Sequence, residues 1–79
     1  MYLEIITPDK ILFTGDIKIA RLPGILGSFE VMKNHVPILS ILSRGKIRVR
    51  EVNDVISYFS IQGGIVECSN NKVKVLVNE

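Results

Sequence analysis

Residues 46–50, Lys-Ile-Arg-Val-Arg, alternate basic and apolar side chains without a break. This period of two constrains the chain more than any other feature. Successive side chains of a strand point to opposite faces, so strict alternation puts one face on a core and the other toward water. The same rhythm recurs at 55–61, where Val55, Ser57, Phe59 and Ile61 oppose Ile56, Tyr58 and Ser60. It returns at 72–77, with Val73, Val75 and Val77 on one side and Lys72, Lys74 and Leu76 on the other. β-branched and aromatic residues fill these runs, as a pleated, half-buried surface prefers. No ten-residue segment shows a clean helical period; residues 36–43 come nearest, and they contain Pro37.

Turn signals divide the chain at short intervals. Pro8-Asp9 closes a first strand, 2–7, and Gly15-Asp16 a second, 10–13. Pro23-Gly24 and Gly27 close a third, 17–22, before a short fourth at 29–32. Pro37 makes 38–42 an irregular or edge segment. Gly45 opens the strand 46–52. Asn53-Asp54 and Asn70-Asn71 fit tight hairpin turns, since both residue types tolerate a positive φ. Gly63-Gly64 predicts a bulge or bend between them. Many short strands at this spacing indicate an all-β sandwich or barrel. At 79 residues it is a single domain spanning 1–79.

Size then limits stability. A chain of this mass is expected to keep about 4,800 Å² of surface and bury roughly 63% of its unfolded area. Cores this small rarely supply more than ~3–5 kcal/mol, so a staple or a partner is expected. The lone Cys68 cannot form an internal disulfide. Cys68 and the single His35 fall short of the four ligands of a structural zinc site. Partner binding is therefore the expected source of extra stability. No basic, apolar leader opens the chain and no apolar run nears the ~20 residues of a spanning helix. The expected setting is the cytosol, or a membrane reached through another protein without direct lipid insertion.

Catalytic chemistry is not visible. His35 has no serine, cysteine or acid at a nucleophile spacing, and Cys68 lies in an alternating strand, the usual place of an inert core thiol. Gly24-Ile25-Leu26-Gly27 precedes a strand, not the helix of a phosphate cradle. No cofactor and no metal is expected. The stripe Lys46, Arg48, Arg50 could meet nucleic acid, but a solvated strand face explains it, and Phe59 falls in phase with the core rather than on that face. The net charge of +2 is too small to argue for nucleic acid. Lipoyl and biotinyl carrier domains are of this size and all-β. Met32-Lys33 and Asp9-Lys10 resemble their acceptor dipeptides only superficially.

Residues 27–45 carry a more specific resemblance. Gly27, Phe29, Val31, His35, Pro37 and Gly45 reproduce a pattern of Gly-x-apolar-x-apolar, three variable residues, His-x-Pro and a later Gly. An apolar strand running into Gly63-Gly64 follows, and then Asn71-Lys72-Val73-Lys74-Val75-Leu76. The opening strand, its Pro-Asp turn and Leu12-Phe13-x-Gly15 also match. These motifs run in register along the whole chain and resemble the epsilon subunit of the F-type ATP synthase. Glu30 and Asn34 stand where many members carry glycine. Family members usually continue into a helical hairpin, whereas this sequence stops at Glu79.

The resemblance implies a flattened sandwich of two antiparallel sheets and a non-catalytic rotor role. Its partners would be the gamma subunit, the ring of c subunits and, indirectly, the alpha/beta catalytic head, with no nucleic acid. It would lie at the cytoplasmic face of a bacterial plasma membrane as a peripheral subunit. Thr7, His35, Ser40 and Leu42 match gamma-facing positions, and Gly27, Ser28 and Phe29 match the base that meets the ring. Gly15, Pro37, Gly45, Gly63 and Gly64 are read as structural turns. Without a hairpin such a chain is expected to couple rotation without restraining ATP hydrolysis.

Overall fold

A computed structural model describes residues 1–79 as eight strands and their turns. They are β1 (Tyr2–Ile6), β2 (Ile11–Gly24), β3 (Gly27–Met32), β4 (Ile38–Leu42), β5 (Gly45–Glu51), β6 (Ile56–Ile61), β7 (Gly63–Ser69) and β8 (Lys72–Asn78). One layer runs β4-β7-β8-β1 and ends on the first part of β2. The other runs β3-β2-β5-β6 and uses the rest of β2. The two layers face each other as a sandwich. All pairings are antiparallel except β1 on β8, which is parallel.

β2 departs from the sequence expectation. Gly15-Asp16 has the composition of a turn between two strands, yet the strand is continuous through it. Asp16 still pairs with Tyr2 of β1, whereas Ile17 already pairs with Glu51 of β5. The glycine thus marks a bend at which one strand leaves the first sheet and enters the second. A break in register between Ile17 and Ile19 follows at once. Such a bulge inserts one residue and reverses the alternation. Ile17 and Ala20 consequently both point into the core, although three positions apart.

Fifteen buried side chains form one core cluster, with no buried polar residue. Leu3, Ile5, Val66, Val73, Val75 and Val77 come from the first sheet; Leu22, Val31, Ile47, Val49 and Ile61 come from the second. The alternation in β5 and β8 sorts inward valines and isoleucines from outward lysines and arginines, as the sequence predicts. Phe13 and Phe59 meet edge to face, ring centroids 5.9 Å apart, and close the side where β2 and β6 end their sheets. The surface of the folded chain, 4821 Å², agrees with the size expectation.

The hairpin turns follow their residues. Asn70 and Asn71 hold φ values of 52° and 59°, as a two-residue turn between β7 and β8 requires. The Asn53-Asp54 turn is one residue longer than expected: Glu51 N–H donates to Val55 O, leaving Val52, Asn53 and Asp54 in the loop. Only Asp54 is left-handed there, with φ 68°. Gly63 and Gly64 open β7 directly after a bend at Gln62. A Cβ at Gly64 would run into the carbonyl oxygen of Leu76 and lie 3.0 Å from Val77 Cγ1. Close approach of β8 therefore explains that glycine. Gly45 opens β5, and Pro37 immediately precedes β4.

Candidate functional site: one sheet face and one hairpin tip

The outer face of the first sheet carries an apolar band. β4 presents Leu39 and Ile41 outward, β7 presents Ile65 and β8 presents Leu76, all exposed. Ile41 pairs with Ile65, and Ile65 with Leu76, so three isoleucine or leucine side chains form one row across three strands. Leu76 then pairs with Ile6 of β1, and Ile6 with Ile11 of β2. The row below it, Leu39–Glu67–Lys74, adds an apolar end and a pair of opposite charges. Leu39, Ile65, Glu67, Lys74 and Leu76 line a shallow depression in this face. Single exposed hydrophobes need no explanation, but a contiguous patch with a polar rim marks an interaction surface.

The β2–β3 hairpin ends in a second apolar feature. Gly24 pairs with Gly27, leaving Ile25 and Leu26 at the tip. Leu26 is fully exposed, and Ile25 is 62% exposed. Gly24 cannot carry a side chain, because a Cβ there would lie 2.6 Å from Gly27 O and 2.9 Å from the Phe29 ring. Ile25 N–H donates to Ile41 O at 3.0 Å, and Ser43 N–H donates to Pro23 O at 2.8 Å. The tip is thereby tied to the end of β4, beside Ile41.

The residues carried over from the family pattern fall unevenly on this face and tip. Ser28 and Gly27 are exposed next to the tip, whereas Phe29 is half-buried and packs against the core. Leu42 is 3% exposed and belongs to the core, so its assignment to a contact surface is corrected. Ser40 pairs with the buried Val66 and shares that inward phase. Their outward neighbours Leu39 and Ile41 hold the available positions. Thr7 lies at the other end of the molecule from His35: Ile6 pairs with Leu76 near the end of β8, whereas Asn34 N–H donates to Asn71 Oδ1 in the β7–β8 turn. Thr7 Oγ1 accepts from Lys10 N–H at 3.0 Å and fixes its own turn. His35 is held by two bonds: its N–H donates to Met32 O at 3.0 Å, and its Nδ1 lies 2.7 Å from Val36 O, which can only accept. Its ring is thus oriented by the loop that Asn34, at φ 66°, bends back to β8.

Ile25, Leu26, Leu39 and Ile41 are absent from the sequence-level site. Ile25-Leu26 between two glycines is a legible hairpin tip; the phase of β4 is not, because Ile-Leu-Ser-Ile-Leu puts apolar residues on both faces.

Three or more potential metal ligands nowhere converge. Cys68 is buried, and burial pushes its thiol up, away from the reactive thiolate. On β2, the strand beside the basic stripe, Arg21 meets Glu30 at 3.1 Å and Lys18 meets Asp54 at 2.7 Å. Lys10 lies in the β1–β2 hairpin loop and pairs with Glu79 at 3.2 Å, and Lys33 lies in the connection from β3 to β4, two strands that do not pair with each other. No helix is long and apolar enough to cross a membrane.

Comparison with known proteins matches the chain along its whole length. The family described as ATP synthase, Delta/Epsilon chain, beta-sandwich domain matches residues 1–79. The ATP synthase epsilon chain of Chlorobaculum tepidum is 40% identical over 77 residues, covering 98% of this chain and 88% of that one. That of Chlorobium limicola is 38% identical over the same length, with the same coverage. The longer epsilon chain of Maridesulfovibrio salexigens is 40% identical over 76 residues, which are only 53% of its length. Among solved structures, a chain of the Euglena gracilis mitochondrial ATP synthase superposes with a TM-score of 0.90 at 16% identity. It covers 98% of this chain and 49% of that one. A chain of the Tetrahymena thermophila central stalk and c-ring gives 0.83 at 20% identity, with coverages of 99% and 63%.

Proposed function

Because the chain belongs to the β-sandwich family of ATP synthase delta/epsilon chains, we propose that it is the epsilon-type part of a rotating central stalk. The outer face of the first sheet docks on the gamma subunit, and the β2–β3 hairpin tip rests on the ring of c subunits. The observation that carries this reading is the apolar row Ile41–Ile65–Leu76, which the isolated chain leaves facing water.

The mechanism is mechanical. Torque arriving at Leu26 enters the β2–β3 hairpin and passes to β4 through the Ile25–Ile41 and Ser43–Pro23 backbone bonds. It also passes to the other sheet, because β2 belongs to both. Close-packed side chains between the sheets resist shear, so the sandwich moves as one body. The band on β4, β7 and β8 then delivers the load to gamma. The chain makes and breaks no bond and acts at the cytoplasmic face of the membrane through its protein partners.

Replacing Ile41 or Leu76 by Glu tests this directly. Each faces outward, so the fold persists while recovery of gamma in a pulldown from solubilised bacterial membranes is lost. Undiminished recovery with both variants would overturn the proposed docking face. The all-strand chain should also bind without restraining the enzyme. Its addition to a head complex depleted of this subunit is expected to leave ATPase activity unchanged, and strong suppression would refute coupling without inhibition.

A further inference from the structure

The second sheet ends in two strands, β3 and β6, whose free edges differ. β3 carries Glu30, held by Arg21. Around β6, residues 55–66 contain neither a charge nor a proline. β6 pairs with β5 from Ile56 to Ile61 without a break in register. Charges, prolines and bulges are the devices that keep an edge from accepting another strand, and β6 has none of them.

The hairpin fixes which backbone groups this edge offers. Glu51 N–H donates to Val55 O at 2.9 Å, so residues 51 and 55 are a hydrogen-bonded pair. Such pairs recur at every second position of an antiparallel ladder, here at Val49–Ser57 and Ile47–Phe59. The N–H and C=O groups of Ile56, Tyr58 and Ser60 therefore point away from β5. Gln62 is next in that phase, and its N–H is taken by Asn78 O at 2.7 Å. The edge from Ile56 to Ser60 is free.

We propose that this edge pairs, antiparallel, with β6 of a second copy of the chain about a two-fold axis through Tyr58. Outward groups must meet outward groups, and the register centred on Tyr58 engages all three residues of each copy. Tyr58 then faces Tyr58 of the second copy, and Ile56 faces its Ser60. The side chains brought together are uncharged, so nothing repels an identical edge and nothing selects an oppositely charged one. The nearest cations are Lys46, Arg48 and Arg50 of β5, beside Ser60, Tyr58 and Ile56. Three strand spacings, about 14 Å, separate each from the cation it faces in the second copy, which exceeds the Debye length at physiological salt. The two second sheets become one continuous eight-stranded sheet, and the apolar band on the first sheet remains uncovered. Pairing belongs to the free chain and does not use the surface assigned to gamma.

Light scattering with size-exclusion chromatography, from about 1 μM to about 1 mM, should show the mass rising from 8.8 kDa toward twice that value. Tyr58→Pro removes an outward N–H without removing a β5 bond, and Tyr58→Lys adds charge to the edge. Both should remain monomeric, with circular dichroism confirming the fold. Mild oxidation gives the register. Two facing Cα atoms lie about 5.5 Å apart, within disulfide range, so Tyr58→Cys cross-links. Ile56→Cys does not, since its counterpart is at least about 13 Å away along the strand. Cys68 is buried and stays silent. A chain monomeric at about 1 mM, a dimer that persists in the folded Tyr58 variants, or equal cross-linking at 56 and 58 would each overturn the pairing.

Discussion

Gly64 shows how one hydrogen atom in place of a methyl group shapes this molecule. β8 passes so closely that any side chain there meets the Leu76 carbonyl, a backbone atom that cannot swing aside. Gly64→Ala must push β8 outward and should cost about 1–3 kcal/mol, the range of overpacked sites. Urea unfolding reads that loss directly. Asp54 illustrates the opposite case, a surface group whose ionisation is tuned. The hydrogen bond from Lys18, and then its charge, hold the Asp54 carboxyl below the usual carboxylate range. A folded-state pKa below the unfolded one adds stability above the ordinary carboxylate range, and that stability vanishes as pH falls through the depressed value. Lys18→Ala should therefore be slightly less stable than the parent near neutral pH and equal to it at about pH 2. The effect is small because the pair is exposed. The carboxyl carbon resonance of Asp54, followed by NMR, should titrate at a higher pH in the variant.

Among the strands, legibility tracks how cleanly alternation survives. β5 and β8 read directly, because a lysine or arginine sits opposite almost every buried valine or isoleucine. β2 did not. Gly15-Asp16 is chemically a good turn, and only the pairing of Tyr2 with Asp16 and of Glu51 with Ile17 shows a bend instead. That choice rests on contacts distant in sequence. β4 failed for another reason: Ile-Leu-Ser-Ile-Leu lacks a polar phase, and a shift of one residue flips every side chain to the other face. The tertiary structure sets Leu42 inward and Ile41 outward. Adjacent substitutions separate the two roles. Leu42→Ala should lose about 2–5 kcal/mol as a core cavity. Ile41→Ala should stay within about 0.5 kcal/mol of the parent, as surface changes do, yet weaken binding to gamma. Paired denaturation and pulldown measurements distinguish them. The hairpin tip allows a parallel comparison, in which Leu26→Ser leaves the melting temperature unchanged and lowers retention on c-ring preparations.

At the scale of the whole molecule, 79 residues enclose one small apolar core with no disulfide and no metal cluster to reinforce it. Yet the chain leaves Leu39, Ile41, Ile65 and Leu76 on one face and Ile25 and Leu26 at one end, all exposed. Inward-facing valines stabilise the free chain, whereas these outward residues lower its free energy only when something covers them. A partner that binds only the folded chain raises its stability by mass action, about 2.7 kcal/mol at a hundred times the dissociation constant. For a domain of this size each kcal/mol moves Tm by about 4–8 °C. Saturation with gamma should therefore raise Tm by roughly 10–20 °C in scanning calorimetry, on those two relations. The Ile41→Glu variant should melt near the free parent and gain nothing from gamma. Were both proteins stabilised equally, gamma would be binding somewhere other than the band. The exposed apolar band would then have no role in holding the sandwich to the stalk.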